Sequence, residues 1–206
     1  MAEVVLGLAR RLRLPALERR YDSRTVLGVF ALVNGFISIG IMAAAADVTT
    51  QPFVFPSLGP TAFLLFYTPH AASACPRNTI AGHLVGVLAG YVSLAAFGLL
   101  DAGPVLGHHV TGPRIAAAAL SLGLTAGVMV WLRVPHPPAG ATTLIVSLGL
   151  ITKPPQLADL MLGVVLLTAQ GLVINRLAGI DYPLWAPRPG KAGESRPGSH
   201  AGADGG

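Results

Sequence analysis

The sequence predicts an all-α membrane protein of six apolar elements. They are arranged as two repeats of three: a long helix, a short proline-broken helix and a long helix. Three observations predict it. Of 206 residues, 52% are hydrophobic and only 11% charged, against about 25% charged in soluble domains. The apolar residues come in long, nearly charge-free blocks, which water-facing surfaces do not tolerate. And the two short blocks, each led by prolines, recur at a fixed distance. Pro56 and Pro135 are 79 positions apart, as are Pro76 and Pro155.

The elements follow in order. The first spans 25–46, is uncharged throughout and is closed by Asp47. The second, 53–68, reads FVFPSLGPTAFLLFYT. The third covers 77–100 and is closed by Asp101-Ala-Gly-Pro104; the fourth covers 113–132 and ends at Arg133. The fifth, 139–152, follows the step VPHPP; the sixth is 156–178. A straight helix needs about 20 apolar residues to cross the hydrocarbon core. The second and fifth are too short for that. Proline is excluded from helix interiors but welcome in a first turn, so each short helix is expected to start just after its prolines. The chain divides into a basic amphipathic cytoplasmic segment (1–24), the transmembrane domain (25–182) and a disordered cytoplasmic tail (183–206).

Two readings of the short elements stay open. If they cross, there are six crossings and the second repeat is inverted. If they are re-entrant, there are four spans and parallel repeats. Crossing puts Arg77 and Arg133 inside with only Arg114 and Lys153 outside, which the positive-inside rule favours. The basic flanks place both termini in the cytoplasm. The formal net charge of +5 therefore points to lipid headgroups rather than to nucleic acid. The lone Cys75 excludes an internal disulfide and a paired-cysteine metal site. No metal and no cofactor is expected, and His108-His109 is read as a loop pair.

Short, Gly/Pro-interrupted elements in matching positions point to a transporter's binding site. A helix that starts inside a membrane leaves N–H groups unpaired and a partial positive charge, a place for a small anion. Ser57, Gly59 and Thr61 in the first short helix, and His136, Gly140, Ala141, Thr142 and Thr143 in the second, are the expected substrate-binding residues. Small residues let a ligand approach the backbone, and hydroxyls donate. Capping their own helices is the alternative role for Ser57, Thr61 and Thr142. Pro137 and Pro138 would fix the helix start, and His136 would orient it or couple a proton. Arg77 and Asn78 would cap or gate at the inner mouth; His83 and Asp159 are further candidates as ionisable residues in membrane segments. Asn34, Gln170 and Asn175 suit interhelical hydrogen bonding. Gly82, Gly86 and Gly90 form a small face for packing within one protomer, or for a homo-oligomer.

Four blocks, LGPTAFLLF (58–66), PRNTIAGHLVG (76–86), HPPAGATTLI (136–145) and NRLAGIDYPLW (175–185), resemble the HPP family of integral membrane proteins. The chain departs from relatives at Leu58-Gly59-Pro60-Thr61-Ala62 and at Ala81. The resemblance implies transport, nitrite being the substrate with which members are associated, and a membrane part commonly described as four spans. It marks Pro76, Arg77, Asn78, Gly82, His83, His136, Pro137, Pro138, Gly140 and Ala141 as motif positions. A small-anion transporter or channel is the leading expectation, and not an enzyme. A non-transporting sensor or interaction protein and a membrane-embedded enzyme are the alternatives.

Overall fold

The computed structural model describes residues 13–106 and 109–187. Residues 1–12 of the basic segment, His108 of the loop pair and residues 188–206 of the tail lie outside the described part. Seven α-helices make up the described chain: α1 (Leu14–Glu18), α2 (Ser23–Thr49), α3 (Leu58–Tyr67), α4 (Pro76–Ala96), α5 (Gly112–Trp131), α6 (Ala139–Ser147) and α7 (Pro154–Leu177). A single 3₁₀ turn, Ala72–Ala74, precedes α4. Helices α2, α4, α5 and α7 are long and apolar enough to cross a membrane.

The starts obey local chemistry. Asp22 Oδ2 accepts from the Thr25 N–H at 2.9 Å and so caps α2. That bond holds the exposed carboxyl below its ordinary pKa. Proline occupies the first turn of α1, α4, α5 and α7, where its missing N–H costs nothing. The short helices are shorter than the apolar runs that contain them. Residues 53–57 stay outside α3, and α6 stops at Ser147. At about 1.5 Å per residue each covers roughly half of a bilayer core.

Helix α4 is the centre, packing against α5, α6 and α7. Helix α6 lies in the angle of α4 and α5, whereas α3 lies against α2 and α7. Glycines set the approach. A Cβ at Gly86 would stand 2.7 Å from the Ala139 carbonyl oxygen, and one at Gly90 2.7 Å from Val146 Cβ. The Gly82/Gly86/Gly90 face is thus filled from within by the HPP step and α6.

Side-chain bonds seal the other end of each short helix. Asn175 of α7 donates to the Leu65 carbonyl at 2.9 Å, near the end of α3. Arg114 of α5 donates to the Ser147 carbonyl at 3.3 Å, at the end of α6, and to the Gly103 carbonyl at 2.7 Å. The last carbonyls of a helix lack partners, and without water a neighbouring helix has to supply them.

Contacts also sort the elements by end. The start of α1 bonds to the end of α7 (Leu14 N–H to Ala178 carbonyl, 2.9 Å), and the start of α4 to the C-terminal segment (Arg77 N–H to Trp185 carbonyl, 3.0 Å). Trp185, within the segment 183–206, therefore accepts a hydrogen bond from the bundle. The Arg77 guanidinium reaches the Arg133 carbonyl at 3.1 Å. One end of the bundle accordingly carries most of the described arginines.

Candidate functional site

Thr61 is the fourth residue of α3, and Thr142 is the fourth residue of α6. Both reach one imidazole. His83 of α4 has its Nε2 2.9 Å from Thr61 Oγ1 and its Nδ1 2.6 Å from Thr142 Oγ1. His136, from the proline step before α6, brings its Nε2 to 3.1 Å from His83 Nε2 and 3.3 Å from Thr61 Oγ1. The ring centroids are 4.8 Å apart. All four side chains are fully buried.

The partners decide where the hydrogens lie. His136 Nδ1 is 2.7 Å from the Ser73 carbonyl. A carbonyl only accepts, so Nδ1 carries the hydrogen and Nε2 of the neutral ring is bare. Two bare nitrogens at 3.1 Å would leave both unsatisfied, so His83 carries its hydrogen on Nε2 and donates towards His136 Nε2 and Thr61 Oγ1. His83 Nδ1 is then an acceptor, and the Thr142 hydroxyl donates to it. The Thr61 hydroxyl donates to the Ser57 carbonyl at 3.0 Å. One directed chain of hydrogen bonds thus runs from α6 through both histidines to the 3₁₀ turn, with every hydrogen used.

That turn is held by three side chains, one from the helix that follows it and two from distant segments. Asn78 Nδ2 donates to the Ala72 carbonyl at 2.9 Å, His136 to Ser73, and the Tyr182 hydroxyl to Ala74 at 2.5 Å. Burial pushes the Tyr182 hydroxyl above its ordinary pKa, which keeps it a donor. Cys75, next in the chain, is buried, and its thiol is likewise pushed up.

The backbone N–H groups that were expected to face a ligand do not all do so. At α6 the N–H groups of Ala139, Gly140 and Ala141 bond to the carbonyls of His136, Pro137 and Pro138, each at 3.0 Å. Pro137 and Pro138 have no N–H to offer. At α3 the Leu58 N–H bonds to the Phe55 carbonyl at 2.9 Å, and Pro60 has none. The cluster consists of side chains, not of bare helix ends.

The structure brings together Thr61, His136 and Thr142 of the expected residues, through His83. Ser57 and Thr143 are buried in the same first turns, and neither hydroxyl has a partner. Gly59 is exposed with open space beside it; Gly140 and Ala141 are half-buried, and Gly140 faces Leu122. Pro137 is exposed and Pro138 buried. Arg77 and Asn78 bind backbone at the mouth rather than the cluster. Asp159, half-buried in α7, is not joined to the cluster. Sequence reasoning missed Ser73, which acts through its carbonyl and leaves no residue signal. It also missed Tyr182 and Arg114. The signal for Tyr182 was its place in the NRLAGIDYPLW block.

Comparison with curated proteins and with solved structures returns no match. Residues 22–183 match the family model described as HPP, transmembrane region. That match takes in α2 through α7, the threonine–histidine cluster and Tyr182, and by it the chain belongs to the HPP family of membrane proteins.

Proposed function

We propose that this protein carries a small inorganic anion, nitrite first among them, across a bacterial inner membrane, and that the anion binds where α3 and α6 begin. The observation that carries this reading is the convergence of both fourth-position threonines on His83. A membrane protein rarely buries so polar a cluster away from its surface without a use for it. The unpartnered hydroxyls of Ser57 and Thr143 flank it and supply donors. The nitrite assignment comes from the family resemblance, since the geometry suits any compact anion.

The same reading has six crossings and inverted repeats. Asn175, at the end of α7, bonds near the end of α3, while Arg114, at the start of α5, bonds the end of α6. On this account α3 runs outward to one face and α6 to the other, with both starts in the middle. The end rich in arginine, and both termini with it, faces the cytoplasm.

The test is nitrite uptake into proteoliposomes holding the purified full chain. Saturable flux above that of empty vesicles, abolished in a folded Thr142→Val/His136→Ala variant, is the expected result. Absence of protein-dependent flux for nitrite, nitrate, formate, chloride and bicarbonate would overturn it and promote the sensor reading.

A further inference from the structure

We infer that the facing Nε2 atoms of His83 and His136 are a proton-binding site, and that each anion passes with one proton, electroneutrally. This rests on the anion-transport reading above.

Hydrogen inventory is the first ground. In the neutral cluster the His83 Nε2–H, His136 Nδ1–H, Thr61 hydroxyl and Thr142 hydroxyl are all engaged. The one ring nitrogen left to take a further proton at the seam is His136 Nε2. Protonating it sets two N–H bonds against each other across 3.1 Å. The rings then part until an acceptor sits between them, with the nitrogens about 5 Å apart for two ordinary hydrogen bonds. An anion is that acceptor. The proton adds to His136 Nε2 as the anion enters. On release the proton leaves with it, and the N–H···N bond between the rings re-forms.

Charge is the second ground. A buried anion without a counter-charge is expensive, and among the described residues the side chains packed on the cluster supply none. From α3 the cluster meets Thr61, from the 3₁₀ turn the Ser73 carbonyl, and from α6 Thr142. The Met129 sulfur of α5 lies beside the same seam, near Gly82. Helix α7 has no titratable residue between Asp159 and Arg176, and α2 none between Arg24 and Asp47. On α3 the only titratable group is Tyr67 at its end, and on α6 there is none. The remaining titratable groups of α4 are Arg77, bonded to Asn78 and the Arg133 carbonyl, and Tyr91. Arg114 of α5 is bonded to two carbonyls. At the mouth stand exposed His70, buried Cys75 and Tyr182, the last bonded to Ala74. The histidine pair is therefore the group able to gain the positive charge that an anion needs.

The test uses the full chain in vesicles, with sodium nitrite as probe, a pH dye inside and the membrane potential clamped. Expected are one proton taken up per nitrite, no response to voltage, and an initial rate rising roughly tenfold per unit of outside acidification. His83→Gln and His136→Gln should each abolish the pH response. Thr61→Val should lower the rate and keep it. Saturable nitrite flux that follows voltage and ignores pH would overturn the proton site while leaving anion transport standing. Absence of protein-dependent flux would overturn the reading beneath it. Should the glutamine variants not fold, ¹⁵N-histidine NMR of the wild type decides. One neutral ring protonated at Nδ1 and one at Nε2, with an imidazolium appearing when nitrite is added under mild acid, supports the proposal. Ring signals unmoved by nitrite overturn it.

Discussion

The two short helices occupy matching places in the chain but are held by different physics. Helix α3 sits in an apolar seam. Leu58, Leu65 and Phe66 pack with Met42 of α2 and Leu160, Val164 and Leu167 of α7 in the main core cluster. Helix α6 sits in a glycine and hydroxyl seam. Its backbone rests on Gly86, its Val146 side chain and Thr143 carbonyl rest on Gly90, and the buried apolar cluster at its start is small: Met129, Val134 and Ala139. Thr142, Thr143, Ser147, Ser121 and Thr125 are buried around it, with Ser121 donating to Ser147 at 2.9 Å. Side chains with free rotors can shift to absorb a change. A backbone pressed on a backbone cannot. The α6 seam should therefore be the stiffer and less tolerant wall of the site, and α3 the more adaptable one.

Gly86→Val should separate the two seams most sharply. Its added carbon meets the Ala139 carbonyl oxygen, which cannot move without moving α6, so a loss of about 3 kcal/mol is expected. Thermal unfolding in detergent would read it, and a wild-type midpoint would show that the seam is not rigid. Leu65→Ala should cost less, about 2 kcal/mol, by emptying part of the α3 seam. Next comes the pair of threonines. Thr142→Val strands the His83 Nδ1 acceptor, at about 2 kcal/mol or a little less. Thr61→Val leaves the His83 Nε2–H with His136 as a second partner, for about 1 kcal/mol. Equal losses would argue against the assigned tautomers. Gly171→Ala should be nearly neutral, within about 1 kcal/mol. A Cβ there meets Leu65 Cδ1 at 2.9 Å, the free end of a flexible side chain, and alanine favours the helix. Combined with Leu65→Ala, its extra methyl should recover part of the lost stability, and strict additivity would contradict the contact. Smallest is Lys153→Ala. The Lys153–Asp101 pair at 2.9 Å is largely exposed, and its loss should shift stability by about 0.5 kcal/mol or less.

Much of the fold was legible because membranes make hydropathy decisive. The four long apolar runs became α2, α4, α5 and α7 with ends shifted by a few residues. The proline steps at Pro56 and Pro135–Pro138 marked where α3 and α6 could begin. The site was half legible. Thr61, Thr142 and His136 stood out as polar residues beside those breaks. His83 was noticed only as an ionisable residue in a span, since nothing along the chain ties position 83 to positions 61, 136 and 142. The Gly82/Gly86/Gly90 stripe was legible as a close-packing face, but not its occupant.

By itself, then, the sequence determined that this chain lives in lipid, where its helices start, and which family it belongs to. The first two follow from the local cost of charges and prolines in an apolar setting, the third from the resemblance carried by the blocks at 58–66, 76–86, 136–145 and 175–185. Only the tertiary structure decided that the candidate site is a chain of side-chain hydrogen bonds through two histidines rather than a pair of bare helix ends. The reason is physical. Hydrogen-bond satisfaction without water is settled among all neighbours at once, and the carbonyls of Ser73, His136 and Pro138 enter that settlement as backbone atoms, which every residue has and no sequence pattern marks.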